Sequence, residues 1–90
     1  MQLSYDTAKR DKTLTERGID FADAVGVFEG AHFTVEDRRH DYGEIRFITA
    51  GLLLERLVVV VWTLRGADRR IISMRKANER EQALYRHRLG

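Results

Sequence analysis

The run RLVVVVWTLR, residues 56 to 65, constrains this chain more than any other segment. Its apolar residues fall on odd and even positions alike, so a strand built from it is apolar on both faces. Such a strand is stable at the centre of a sheet with cover on each side. This places Val58, Val60 and Trp62 on one buried face and Val59 and Val61 on the other. The rest of the chain must then supply flanking strands and two covering layers. With 90 residues and no cysteine, it has neither disulfides nor thiolate metal sites to help. The expectation is one domain, residues 1–90, with a modest core.

The flanking elements can be read from local signals. LSY (3–5) suits a short first strand. Asp6 stands where a helix N-cap would, and Gly18 where that helix stops. Between them Ala8 and Leu14 form only a thin apolar stripe, so the helix lies on the surface. In GIDFADAVGVFEG, Asp20 can cap and Asp23 falls at N3, and Phe21, Ala24, Val25 and Phe28 recur at helical spacing. A second helix over 20–29 is predicted to pack through that stripe. HFTVED (32–37) alternates as a strand, RRHDYG (38–43) is a loop, and EIRFITAG (44–51) is a further strand. RRIISMRK (69–76) is the last strand. Asn78 with Glu81 three residues on forms a capping box that opens a final helix. The link LLLE carries no glycine or asparagine, so its turn has no sequence signature. The fold class is α+β: an antiparallel meander sheet with two N-terminal helices and one C-terminal helix.

The charge is distributed unevenly. Residues 65–90 carry eight basic and three acidic groups, against eight basic and eleven acidic in the rest. A basic C-terminal third points to an anionic partner. Regular alternation on strand 69–76 puts Arg69, Ile71, Ser73 and Arg75 on one face and Arg70, Ile72, Met74 and Lys76 on the other. Adjacent Arg75 and Lys76 would then point apart, but the capping box starts only two residues later, so the strand is expected to be turning at Lys76, with Arg75 on one phosphate and Lys76 following the backbone of the next nucleotide. Arg65 lies across the GAD turn from Arg69. Arg46 interrupts an apolar strand, where a charge needs a partner. Its structural partner would be Glu44 or Glu36. His32, His40 and His87 are too dispersed for a metal signature. His40, in a loop with Asp37, Asp41 and Tyr42, is the one offered for proton transfer. Tyr85 either packs its ring on the sheet or serves the site. No phosphate loop, nucleophile elbow or paired-carboxylate spacing is present. The longest apolar run is far shorter than the roughly 20 residues that cross a bilayer. With no charged-then-apolar signal pattern at the N-terminus, the expected location is the cytoplasm.

GIDFADAVGVFEG, DYGEIRFITAG, VVVVWTLRG and RIISMRKANEREQALY, with Asp6 and Lys9 before them, resemble the BrnT toxins of bacterial type II toxin–antitoxin systems. The last segment is the most specific, and DYGE.R comes next. Many relatives carry KHG where this chain has Glu16-Arg17-Gly18, so no histidine is available there. The resemblance implies a RelE-like fold and a ribonuclease that inhibits translation; with no metal signature among the residues, that chemistry is expected to be metal-independent and to need no cofactor. It implies a cognate BrnA-like ribbon-helix-helix antitoxin, with operator DNA reached only through the complex, and no membrane. The matching positions make Arg75, Arg65, Arg46, Glu44 and Tyr85 the candidate catalytic residues. Lys76, Arg69, Arg70 and Arg80 are the candidate RNA contacts. Two rival readings use the same basic surface, as a nucleic-acid-binding module without cleavage or as a dock for an acidic antitoxin segment.

Overall fold

The computed structural model describes residues 1–89. In chain order the elements are β1 (Leu3–Tyr5), α1 (Thr7–Arg17), a 3-10 turn (Phe21–Asp23), α2 (Ala24–Glu29), β2 (His32–Asp37), β3 (Arg46–Leu53), β4 (Arg56–Arg65), β5 (Asp68–Lys76), α3 (Glu79–Tyr85) and a closing 3-10 turn (Arg86–Leu89). The five strands form one sheet in the order β1-β5-β4-β3-β2. β4, the doubly apolar run, is central. β2 to β5 make the expected antiparallel meander, while β1 joins β5 in parallel and makes the sheet mixed.

β4 is covered fully on one face and in part on the other, where Val59 is buried as expected but Val61, beyond the reach of α3, is only half-buried. Val58, Val60 and Trp62 join Ile19, Phe21, Ala24, Val27, Ile71 and Met74 in the larger core, under the first 3-10 turn and α2. Leu57 and Val59 meet Ala77, with Tyr85 and Leu89 packed against them, in a smaller core on the α3 side. Most buried polar side chains of the sheet are paired, the exception among the described residues being the Arg69 Nε on β5. The Trp62 Nε1–H donates to Thr49 Oγ1 at 2.8 Å, and that hydroxyl pairs with Thr34 Oγ1 at 2.7 Å.

α1 begins as read: the Asp6 carboxylate accepts from the Lys9 N–H at 3.0 Å, and Gly18 closes the helix in the left-handed region at φ 68°. None of its residues is buried. The Arg10 guanidinium donates to both Asp20 oxygens, at 2.8 and 2.6 Å, and ties the helix to the next segment. There the expected stripe is corrected. The segment opens with a 3-10 turn, three residues to the turn, so the inward positions run Phe21, Ala24, Val27 and Val25 is left 45% exposed. α2 then lies tight on β3 at Gly51. A Cβ built there would sit 2.8 Å from Val27 Cγ1 and 2.9 Å from His32 Cβ.

The LLLE link is a two-residue hairpin. Leu53 pairs with Arg56, and Leu54 and Glu55 both take left-handed conformations, at φ 50° and 68°. That is the twist-compatible hairpin geometry, built here without glycine or asparagine.

The largest correction lies in β5. Val61 pairs with Ser73 but Trp62 pairs with Ile71, so Ile72 is an extra residue in the ladder. A β-bulge of this kind reverses the alternation on one side of it. Arg69 and Ile71 therefore share a face with Met74 and Lys76, towards α2. Arg70 shares a face with Ser73 and Arg75, towards α3.

Candidate nucleic-acid interface

α3 is short and covers only part of its face of the sheet. The uncovered part collects arginines. Across the strands, Asp37, Arg46, Thr63 and Arg70 are successive partners in one row, and Ser4 of β1 follows. Arg75 stands on the same face beside Val59, and Arg65 at the end of β4. The loop 38–45 adds Arg39. Three carboxylates hold these groups.

Asp37 is the deepest, at 5% exposure. Arg39 grips it with two bonds of 2.8 Å, and the Tyr42 hydroxyl donates to it at 3.0 Å. The Arg39 bonds, aided by that hydroxyl, keep the Asp37 carboxyl far below the usual carboxylate range against the opposing effect of burial. Glu44 accepts from Arg46 at 3.1 Å and from Arg65 at 3.4 Å. Those two contacts, Arg46 first, hold its carboxyl below the ordinary value. The Arg46 guanidinium also lies 4.1 Å over the Tyr42 ring, and His40 meets that ring edge-on at 5.7 Å. Glu81 binds both ends of the Arg75 fork, at 2.6 and 2.8 Å. This bond raises the Arg75 pKa and lowers the Glu81 pKa to about 2. Arg39 is held on this face by its grip on Asp37, the cross-strand partner of Arg46. Among the described residues the Arg70 side chain has no hydrogen-bond or ion-pair partner.

Five guanidiniums thus face three carboxylates on an open surface, an arrangement suited to a polyanion. The structure brings together Arg46, Arg65, Arg70, Arg75 and Glu44 from the sequence-based candidates. Tyr85 adjoins them, but its ring is half-buried and packs edge-on against Phe33 at 5.3 Å. Arg80 is exposed on α3. Two candidates are placed elsewhere. Arg69 lies on the α2 face, its guanidinium 3.5 Å above Phe28 and 4.6 Å from the Trp62 centroid. Burial lowers its pKa. Lys76 does not turn. It still pairs with Val58, and the Ala77 N–H continues the ladder to the Leu57 carbonyl at 2.9 Å. Arg75 and Lys76 therefore point to opposite faces and cannot share a phosphate.

Sequence reasoning missed Arg39 and the role of Asp37. The signal was present: alternation puts Asp37 on the inward face after Phe33 and Val35, and an inward carboxylate needs a partner. Among the described residues no three His, Cys, Asp or Glu side chains group to hold a metal ion, and no helix is long and apolar enough to cross a membrane.

Residues 5–81 match the family model of ribonuclease toxins from type II toxin–antitoxin systems. The family is BrnT, and the chain belongs to it. The matched stretch contains all five guanidiniums and all three carboxylates of the basic face, and ends before Tyr85. No curated protein matches the chain. Membership implies an antitoxin partner.

Proposed function

We propose that this toxin inhibits translation by cutting RNA on the uncovered, arginine-lined half of its sheet, without a metal. The observation that carries the reading is the collection of Arg39, Arg46, Arg65, Arg70 and Arg75 on one face. The substrate's own 2′-oxygen attacks the adjacent phosphorus after losing its proton. The 5′-oxygen of the next nucleotide leaves and takes up a proton. The products are a 2′,3′-cyclic phosphate and a 5′-hydroxyl end. Negative charge builds on the phosphoryl oxygens in the transition state, and fixed guanidiniums stabilise it there. Arg75 and Arg46 take the scissile phosphate, Arg65 orients it, and Arg70 follows the backbone. Glu44 accepts the 2′-proton and Tyr85 serves the leaving oxygen. With a depressed pKa Glu44 is a weak base, so charge stabilisation supplies more of the rate than proton transfer. The partner is a BrnA-like ribbon-helix-helix antitoxin in the cytoplasm, and operator DNA is reached through that complex.

One observation favours a rival reading, in which the face binds nucleic acid or antitoxin without cleaving. Four of the five guanidiniums already bond a carboxylate. The two readings separate in a cell-free translation extract, where a message is offered both free and on ribosomes. Cleavage is scored by primer extension, and the new ends are tested for direct phosphorylation by a kinase. The expected result is 5′-hydroxyl ends and a rate loss on the order of 10²–10³ for Arg75→Ala or Arg46→Ala. A second arm offers purified RNA in chelator. An intact message, 5′-phosphate ends, or wild-type rates in both variants overturn the reading.

A further inference from the structure

Glu81 has two bonded neighbours that lie on different elements. Its carboxylate closes the capping box of α3 by accepting from the Asn78 N–H at 3.0 Å, while the Asn78 side chain accepts from the Glu81 N–H at 2.8 Å. The same carboxylate holds the Arg75 fork on β5 through two bonds, one to each terminal nitrogen. A cap needs only one of those oxygens, and any Glu or Gln would provide it. The second oxygen and the full charge are spent on Arg75. The Glu81 side chain is 17% exposed and the Arg75 side chain 41%. The acid is thus shielded while the cation still meets solvent.

We propose that Glu81 is a positioning residue, which fixes the Arg75 guanidinium in the orientation that meets the scissile phosphate. The proposal rests on the reading of Arg75 given above. Arginine is a flexible side chain with several rotatable bonds, and an unheld guanidinium would sample many positions over an open sheet. A bidentate carboxylate fixes both its place and its plane. Nη1 also donates to the Lys76 carbonyl at 3.4 Å, and the clamp still leaves Nε and the second N–H of Nη2, which is enough to bind a phosphate oxygen. Helix α3 thereby sets the geometry of the site from outside it, and the short link Ala77–Asn78 transmits the register. The low pKa of Glu81 keeps this acid ionised throughout the neutral range.

The test is a mutant cycle in the same extract, with each variant assayed well below its melting temperature. Glu81→Gln keeps an oxygen for the cap but loses the charge and one fork contact. Asn78→Ala loses the side-chain cap but leaves the fork. Displacing a catalytic group by about 1 Å can cost on the order of 10²-fold in rate. The expected result is a loss of this order for Glu81→Gln, near-wild-type cleavage for Asn78→Ala, and no further loss in Arg75→Ala/Glu81→Gln beyond Arg75→Ala alone. Each of three results overturns the proposal: wild-type cleavage by Glu81→Gln, an equal loss in Asn78→Ala, or additive losses in the double variant. If Arg75→Ala alone cleaves normally while Glu81→Gln does not, Glu81 acts through something else and the assignment of Arg75 falls with it. If no variant and not even the wild type cleaves, the ribonuclease reading has failed, and the positioning role goes with it.

Discussion

The Leu54–Glu55 hairpin offers a sharp test of the backbone geometry. Both residues occupy the left-handed region, at φ 50° and 68°. For an L-residue that conformation costs roughly 1–2 kcal/mol. Replacing the pair with Asn-Gly supplies residues that adopt it readily. Leu54 is 89% exposed, so its removal sacrifices little buried area. The new glycine gives back about 0.5–1 kcal/mol through the entropy of the unfolded chain. The expected net gain for Leu54→Asn/Glu55→Gly is about 1–2 kcal/mol. In a domain of this size each kcal/mol moves the melting temperature by roughly 4–8 °C. A rise on that scale should appear in thermal denaturation followed by far-UV circular dichroism. The turn lies at the opposite end of β3 and β4 from Arg46 and Arg65, so RNA cleavage should not change. A melting temperature that stays put or falls would show that the strain is absent, or that Leu54 makes contacts its exposure does not reveal.

Two further outcomes follow from packing and charge. Gly51→Ala puts a methyl group 2.8 Å from Val27 Cγ1 and 2.9 Å from His32 Cβ, so α2 must shift; the expected loss is about 1–3 kcal/mol in urea denaturation, and an unchanged midpoint would refute the close approach. Glu81 titrates at about 2 in the folded chain against an ordinary 4.5, and Asp20, Asp37 and Glu44 are depressed as well. Depressed carboxyls stabilise the fold fully above their unfolded values and lose that contribution as pH falls through the folded ones, so stability should be level above about pH 5 and decline below it. Glu81→Gln should decline less steeply between pH 4.5 and 2 than the wild type, and parallel curves would count against the Arg75–Glu81 pair.

Much of the framework is legible because its signals are local. The Asp6 cap, the Asn78–Glu81 box and the doubly apolar β4 each depend on a few neighbouring residues, and each is found where it was read. The pairing of β1 with β5 is not of that kind. Nothing within LSY selects a parallel partner more than sixty residues away, and the choice depends on how α1 and α2 return the chain. The stripe of the second helix misled for a different reason. Phe21, Ala24 and Phe28 suit a 3.6-residue period, but the opening turn is 3-10, and it shifts the buried position from Val25 to Val27. The hairpin after β3 was illegible because it departs from the residues such turns favour. Within the site, Arg46 and Glu44 were legible as a pair, since an arginine inside an apolar strand needs an acid nearby. Arg39 was not, because a loop residue shows no face until the loop is built.

The bulge at Ile72 determines which arginines can act together. Ile71 and Ile72 are adjacent and both apolar, so a period-two reading passes over them without registering the change of phase. Ile71 is buried in the larger core and Ile72 is the extra residue. Without the insertion, Arg69 would stand beside Arg75 and Arg70 would turn towards α2. With it, the α2 side receives Arg69, and that side can accept one guanidinium because Phe28 and Trp62 provide ring faces for it to cover. Arg70 is released to the row that already holds Arg46. A single unpaired residue thereby separates two adjacent arginines, one to pack against aromatic rings and one to join the basic face. The charge excess of the last third of the sequence consequently overstates the charge presented on this face, because Arg69 and Lys76 lie behind the sheet. Arg39 and Arg46, from the part of the chain with the acidic balance, take their place.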